Sequence, residues 1–313
     1  MSLATRIAKL TRFASGKQRQ PAVMQSASVV SSAASVTPKV SSPKVSKHKP
    51  PTATNWPVME LAKAGDYEIS FICRSELELM RARTLATKEV GTVDWILSDV
   101  KPGQVFYDIG ANIGVYSLLA GRHLNGSGLV CAFEPHAVNV SGLLANTQAN
   151  QLEERLKIFS CALNDCEGFF EFEYSSLNPG AAFNSLIALE GQIPQATKKH
   201  HSTIKEIKAA FSVDSLIARG VIPPPHHIKI DVDGIELRIV HGMQGLLGGS
   251  HSPHSIQIEI DPATAEEIHG LMRSYGYTET FRHDTMAGKK SIEAGAAPDA
   301  IAHNVVFRRK SGN

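Results

Sequence analysis

A glycine-containing turn directly after a short apolar run constrains the fold of this chain more than any other feature. Residues 105–109 (VFYDI) suit a buried parallel strand, and residues 110–114 (GANIG) lead into a segment with a helical pattern at 114–124. Glycines in such a turn let the backbone approach a ligand closely, and the N-terminus of the helix presents free N–H groups to it. The pattern differs from the GxGxxG fingerprint of dinucleotide-binding folds, because Asn112 replaces the second glycine, and no GK[ST] follows as in a P-loop.

Two acidic residues indicate which cofactor such a turn would hold. Asp108 enters the turn, where it would repel a pyrophosphate but suits the ammonium group of an amino acid. Glu134 ends the next apolar run, 20 residues after Gly114, where an acid can accept hydrogen bonds from both hydroxyls of a ribose. S-adenosylmethionine has both an amino-acid part and a ribose, so these residues favour it as the cofactor.

Strand-like and helix-like segments alternate along most of the chain from residue 60 onward. Besides the segments named above, the pattern predicts strands at 129–133, 156–163, 168–174, 227–231 and 255–260, and helices at 92–99, 138–150 and 234–247. This alternation predicts βαβ units and a parallel sheet. Asp231 would emerge at the carboxyl end of a central strand, where open α/β sheets bind ligands, and Asp233 would cap the helix that follows.

Taken together and in order, six segments resemble the FkbM-like methyltransferases. They are residues 105–114 (VFYDIGANIG), 132–135 (AFEP), 161–165 (CALND), 212–216 (SVDSL), 228–236 (IKIDVDGIE) and 303–307 (HNVVF). The resemblance covers about residues 83–307. It implies the Rossmann-like class I methyltransferase fold, a seven-stranded, mostly parallel sheet flanked by helices, in which the last strands form an antiparallel hairpin.

The same resemblance implies residues for each part of S-adenosylmethionine. Asp108, Gly110, Asn112 and Gly114 would surround the methionine part, and Glu134 the ribose. The adenine would lie beside Cys161 and Ala162. One departure is Asp233, where the family more usually has glutamate; we expect the change to be tolerated.

The expected activity is methyl transfer to a hydroxyl oxygen of a sugar, a glycan or a small metabolite, the acceptors that the family mostly uses. Asp231 is the candidate catalytic residue, either as a base or as an organiser of the acceptor pocket; a purely structural role stays open. Metal assistance through Asp231, Asp233, Glu259 and Asp261 is the less favoured interpretation, because neighbouring acids usually serve as caps or solvated charges, so no metal ligand is predicted. The segment 175–203 reads as a loop that shapes acceptor specificity, with Asn184 and Ser185 as polar contacts.

The first 59 residues differ in composition from the rest and predict a basic, largely disordered arm before a methyltransferase domain at 60–313. They carry nine of the chain's 32 Lys/Arg residues and none of its 30 acidic residues. An organelle transit peptide, peripheral attachment to an anionic membrane surface, and an extension without a specific role are the three interpretations. No apolar run is long enough to predict a transmembrane helix. Four cysteines without a CxxC pair favour a reducing compartment, here the cytoplasm unless the arm directs the chain to an organelle.

An alternative from another functional class is a non-catalytic binding protein that retains the cofactor fold and contacts membrane or nucleic acid through its basic arm. The intact residues of the cofactor turn argue against it. Methylation of nucleic acid is disfavoured because the chain beyond the arm is net acidic, whereas phosphate binding requires a basic face. No specific nucleic-acid partner is therefore expected.

Overall fold

A seven-stranded sheet flanked by helices forms the centre of the computed structural model, which describes residues 55–189, 204–297 and 300–310. The strands of this sheet are β3 (Val105–Ile109), β4 (Leu129–Phe133), β5 (Leu156–Phe159), β10 (His227–Ile230), β11 (Ser255–Ile260), β12 (Tyr277–Asp284) and β13 (His303–Arg309). Their order across the sheet is β12-β13-β11-β10-β3-β4-β5. The five strands from β11 to β5 are parallel, and β13 pairs antiparallel with both β11 and β12. This arrangement confirms the predicted fold class, including the antiparallel hairpin formed by the last strands.

Six further strands form two smaller sheets. One is an antiparallel hairpin of β1 (Val58–Ala64) and β2 (Tyr67–Cys73). The other has four strands in the order β6-β9-β7-β8, and they are β6 (Ala162–Leu163), β7 (Gly168–Glu173), β8 (Ser185–Ala188) and β9 (Lys205–Phe211). The described helices are α1 (Glu76–Arg83), α2 (Val90–Asp99), α3 (Val115–His123), α4 (Ala137–Ala149), α5 (Val213–Ala218), α6 (Glu236–His241), α7 (Gln244–Gly248), α8 (Ala265–Ser274) and α9 (Met286–Glu293).

The central strands bury both faces because their side chains alternate between two apolar cores. On β3, Phe106 packs into the core that also holds side chains of the β1–β2 hairpin and of α1 to α4, whereas Tyr107 and Ile109 pack into the core formed with α5 to α8. Such two-sided burial explains why these strands read as continuous apolar runs rather than as alternating ones. It also makes any charged side chain within them conspicuous.

The predicted segments 129–133 and 255–260 agree with β4 and β11, but two others are divided. The predicted strand 156–163 splits after Phe159, because Ala162 and Leu163 pair with β9 of the four-stranded sheet instead. The predicted helix 234–247 is divided at Gly242, where a side chain would meet the backbone oxygen of Asn164. Periodicity alone cannot show either division, since both arise from contacts with other parts of the chain.

Two sequence predictions lie partly outside the described residues. Residues 1–54 of the predicted basic arm lie outside the described residues, and β1 begins at Val58. Residues 190–203 of the predicted loop 175–203 also lie outside the described residues. The described part of that loop contains the strand β8, which the loop prediction missed. Within the described ranges, no helix combines the length and the apolar character that a membrane crossing requires.

Candidate cofactor and acceptor site

A cavity of about 460 Å³ opens at the carboxyl ends of the central parallel strands. Its lining includes Gly110, Asn112, Glu134, Cys161, Ala162 and Asp231, which are the predicted site residues that the fold brings together. Asp108 and Gly114 do not line it. The cavity therefore lies where open α/β sheets place their ligands, at the edge where strands from both sides of β3 end.

Gly110 permits a close approach between the first turn and the end of β10. Its φ is 85°, a left-handed conformation that favours glycine, and a Cβ there would lie 2.0 Å from the backbone oxygen of Asp231. Gly114 also has a left-handed φ, of 91°, but a Cβ there would meet Leu143 of α4 at 2.4 Å. The first glycine thus shapes the cavity floor, whereas the second allows α3 and α4 to pack together.

Glu134 is held at the end of β4 by backbone donors on either side of it. Its Oε2 accepts the N–H of Asn112 at 2.7 Å and its Oε1 accepts the N–H of His136 at 2.8 Å. Burial raises the pKa of this carboxyl to about 7, although the two N–H groups act in the opposite direction. The side chain is therefore fixed at the cavity wall with spare lone pairs for further donors.

Asp108 lies beneath the turn rather than inside the cavity. It is 1% exposed, and its Oδ2 accepts the hydroxyl of Ser117 at 2.5 Å. Its Oδ1 has no hydrogen-bond partner among the described residues, and the ammonium of Lys229 lies 3.9 Å away. Burial raises the pKa of Asp108, and the charge of Lys229 opposes that shift. Asp108 can thus influence a ligand through its charge and its support of the turn.

Lys229 is a buried cation that links the two sides of the cavity floor, and the sequence analysis missed it. It is 1% exposed in the middle of β10, faces Asp108 across the sheet in register, and its Nζ lies 2.8 Å from Oδ2 of Asp231. The ring of Tyr116 lies against the same ammonium, 5.0 Å from Nζ to the ring centre. The sequence did contain a signal for this ion pair, namely a lysine inside an otherwise apolar central strand, because buried lysines are nearly always paired.

Asp231 and Glu259 form a carboxylate pair at the ends of neighbouring strands and interact through a side-chain hydrogen bond. Burial would raise the pKa of Asp231, but the adjacent Lys229 prevails and holds it below its usual range. Burial and the negative charge of Asp231 raise the pKa of Glu259 to about 10. At neutral pH the pair therefore consists of an ionised Asp231 and a protonated Glu259.

Residues 175–184, called the covering segment below, lie against one side of the cavity. Asn112 and Asn139 both donate from Nδ2 to the backbone oxygen of Ala181, at 3.0 and 2.9 Å. The backbone N–H of Asn184 donates to Oδ2 of Asp233 at 2.8 Å. Residues beside the cofactor turn and after β10 thus fix this segment.

The other residues for which the sequence predicted a role lie in different places relative to the cavity. Asn184 lines the cavity, but Ser185 is buried as the first residue of β8 and does not. The predicted capping role of Asp233 is wrong: α6 begins after Ile235 without a side-chain cap, because the Asp233 carboxylate binds the covering segment instead. Cys161 is half-buried at the cavity wall, and burial raises the pKa of its thiol to about 11.

Charges of both signs line the cavity, and they come from distant parts of the chain. The cations are Arg81 of α1, Lys88 before α2 and Lys290 of α9. The acidic lining residues are Glu89, Glu134, Asp231, Asp233 and Glu259. Within the described ranges, no three or more His, Cys, Asp or Glu side chains are placed to hold a metal ion.

Comparisons with known proteins agree with this geometry. A model of the methyltransferase FkbM domain matches residues 108–279, more than half of the chain. Hexuronic acid methyltransferase AglP of Haloferax volcanii is 26% identical over 187 residues, which cover 60% of this chain and 69% of that protein. The 31-O-demethyl-FK506 methyltransferase FkbM of Streptomyces tacrolimicus is 25% identical over 238 residues, covering 68% and 84%.

Similar solved structures include a crystal structure described as a putative rRNA methylase from Clostridium thermocellum. It has a TM-score of 0.43 and 10% identity, and the match covers 72% of this chain and 98% of that one. A similarity this low supports no statement about function.

Proposed function

The chain belongs to the methyltransferase FkbM domain family, and from this premise we propose that it transfers the methyl group of S-adenosylmethionine to a hydroxyl oxygen of a sugar, a glycan or a small metabolite. The observation that carries the proposal is the shared cavity of Gly110, Glu134 and Asp231 at the carboxyl ends of β3, β4 and β10. The names of the two curated relatives, one specifying a hexuronic acid and the other a 31-O-demethyl compound, support an oxygen acceptor on a sugar or a natural product.

The residues of the cavity fit S-adenosylmethionine. The carboxylate of Glu134 has unused lone pairs for the ribose hydroxyls, and its two backbone donors already fix its position. Phe133, Leu163 and Ile239 contribute apolar walls, which suit the adenine ring beside Cys161 and Ala162. The missing Cβ of Gly110 leaves the turn open to a ligand. When bound, the cofactor supplies a methyl group that its positively charged sulfur has already activated.

Asp231 orients the acceptor in this proposal. Its carboxylate accepts a hydrogen bond from the acceptor hydroxyl, so that a lone pair of the oxygen points to the methyl carbon. The ion pair with Lys229 keeps Asp231 ionised at neutral pH and also makes it a weak base, since a low pKa reduces its affinity for a proton. Of the two roles expected for Asp231, the ion pair therefore favours positioning over proton removal.

The cations that line the cavity favour an acceptor that carries a carboxylate. Nε of Arg81 donates to the backbone oxygen of Gly180 at 2.8 Å, and within the described residues its terminal nitrogens have no acceptor. Lys88 is partly neutralised by Glu89, 3.0 Å away. Because the guanidinium of Arg81 is held through Nε, its two terminal nitrogens can donate together to an anionic group such as a carboxylate.

Calorimetric titration with S-adenosylhomocysteine tests the cofactor assignment. We expect a dissociation constant in roughly the micromolar range for the unaltered protein and a loss of about 100-fold for Glu134→Ala, since two charge-assisted hydrogen bonds to the ribose disappear. Glu154→Ala, at an exposed glutamate, is the matched control, and NAD is the control ligand. Absence of binding by the folded, unaltered protein would overturn the proposal; binding followed by a screen of sugars with labelled S-adenosylmethionine would identify the acceptor.

A further inference from the structure

Phe183 presents an exposed aromatic ring at the lining of the cavity. It is 68% exposed. Single exposed apolar residues are common on protein surfaces and carry no meaning by themselves. Met80, 40% exposed, and Leu77 line the same cavity from α1, so Phe183 shares the cavity lining with two other apolar side chains.

The backbone at Phe183 has an unfavourable conformation that the surrounding residues impose. Its φ is 64°, in the left-handed region, which is rare for a bulky residue and costs on the order of 1 kcal/mol. The Asp233 carboxylate accepts the next backbone N–H, that of Asn184, at 2.8 Å, and it also interacts with the backbone of Phe183. The Asp233 carboxylate therefore fixes the backbone at Phe183 and Asn184, and the ring stays exposed although burial would be more favourable for it.

Strained backbone conformations cluster at active sites and ligand-binding sites, so this residue is a candidate for contact with a ligand. The face of an aromatic ring carries partial negative charge, and it attracts C–H groups that carry partial positive charge. A pyranose ring has such C–H groups on one face and hydroxyls at its rim. Phe183 supplies the flat surface for that face, and Arg81 and Asp231, which line the same cavity, supply polar partners for the rim.

We propose that Phe183 is the stacking platform for the pyranose ring of the methyl acceptor, and that Asp233 is the positioning residue that holds it in place. The assignment rests on the proposed function, because it gives the acceptor class for the same cavity. It makes the acceptor a sugar ring rather than an open-chain or purely aromatic alcohol.

Saturation-transfer NMR with the full chain and saturating S-adenosylhomocysteine tests the platform. The probes are the methyl glycosides of glucose, galactose, mannose and glucuronic acid. We expect transfer to ring C–H protons of at least one probe, and roughly tenfold weaker binding of that probe in Phe183→Ala, the scale of one aromatic contact. Phe183→Tyr should retain binding. Phe169→Ala, which removes a comparably exposed ring on β7 that does not line the cavity, is the matched control.

Asp233→Ala tests whether the position of the ring matters, because it keeps Phe183 and removes the carboxylate that holds its backbone. It should weaken the same probe although Phe183 is still present, and calorimetry should show an affinity for S-adenosylhomocysteine within about twofold of the unaltered protein in every variant. Unchanged sugar binding in Phe183→Ala would overturn the platform, as would a loss of cofactor affinity in that variant. Normal cofactor binding without a signal from any probe would overturn the platform but leave the methyltransferase assignment intact. No cofactor binding at all would instead overturn the proposed function.

Discussion

The two halves of the cavity are built in different ways. The half that we propose binds the cofactor, called the cofactor half below, includes Gly110, Asn112 and Glu134, which lie within 25 residues of one another and follow neighbouring strands. The half that we propose binds the acceptor, called the acceptor half, is assembled from residues far apart in the chain, such as Arg81, Phe183 and the Asp231–Glu259 pair. The first half is fixed largely by backbone conformation and backbone hydrogen bonds; the second depends on side chains that meet only after folding.

This difference implies different responses to substitution. In the cofactor half, Glu134 is held by backbone N–H groups, so side-chain changes elsewhere should affect it little. In the acceptor half, Asp231 depends mainly on the buried cation of Lys229. The covering segment depends on side chains from other elements, namely Arg81, Asn112, Asn139 and Asp233. The following predictions test how independent the two halves are, beginning with the residue that connects them.

Lys229→Met should have the largest effect, because Lys229 pairs with Asp231 of the acceptor half and with Asp108, which lies beneath the turn of the cofactor half. Its loss leaves Asp108 and Asp231 without their cation in a buried environment, and we expect the free energy of unfolding to fall by about 3–5 kcal/mol in urea titrations. The double variant Lys229→Met/Asp231→Asn should recover part of that loss, since it also removes one of the charges. Lys157→Met, at an exposed position, is the control and should change stability by about 0.5 kcal/mol or less. A loss below about 1 kcal/mol in Lys229→Met would show that the two halves are not joined by this ion pair.

The pH dependence of cofactor binding tests the cofactor half alone. The pKa of Glu134 is raised to about 7 in the folded chain, above the value of about 4.3 expected when unfolded. Its contribution to stability is therefore complete below about pH 4 and is lost as pH rises through 7. The ribose hydroxyls need the ionised carboxylate as acceptor, so affinity for S-adenosylhomocysteine should rise about tenfold between pH 6 and 8.

Calorimetry at several pH values measures this rise, and Glu134→Gln should make the profile flat over the same range. That control is needed because burial also raises the pKa of Glu236, to about 8, and of Glu259, to about 10. A pH profile that stays unchanged in Glu134→Gln would assign the titration to one of these two groups.

Arg81→Gln should produce the smallest effect, confined to the acceptor half. We expect binding of methyl glucuronide to weaken roughly three- to fivefold, since the guanidinium is only partly buried, and binding of methyl glucoside to stay the same. Arg83→Gln, on the same helix but outside the cavity, is the matched control. The measurement is NMR titration in the presence of S-adenosylhomocysteine. A loss of cofactor affinity in Arg81→Gln would move this residue to the cofactor half.

The sequence indicated which residues of the cofactor half line the cavity more fully than it did for the acceptor half, because their signals are local. The bounds of β3, β4 and β11 follow from continuous apolar runs, and Gly110 and Glu134 follow from their positions directly after strands. Gly114 and Asp108 were identified by the same motif, yet in the structure they support helix packing and the cavity floor rather than line the cavity. A motif predicts a turn, but it does not separate the residues that face a ligand from those that make the turn possible.

The acceptor half was anticipated much less completely. Phe183 lies in a segment that reads as a loop, and its exposure follows from a carboxylate 50 residues away. Arg81 is one of several basic residues on a short helix, and only the folded chain shows which of them faces the cavity. Asp231 was identified from its place at a strand end, but the cation that lowers its pKa was not. Contacts between distant segments leave no periodic pattern in a single sequence.

The four-stranded sheet has a consequence for how acceptor choice can change between relatives. It is formed by one continuous stretch of chain between β5 and α5, whose ends pair as β6 and β9, with Ala162 opposite Ala210. A stretch whose ends meet in this way behaves as an exchangeable module, because length and composition can vary between fixed anchors. Phe183 lies within the module, whereas Gly110 and Glu134 lie outside it. If the proposed roles hold, acceptor choice can change through the residues between these anchors, while Gly110 and Glu134, which precede the module, stay the same.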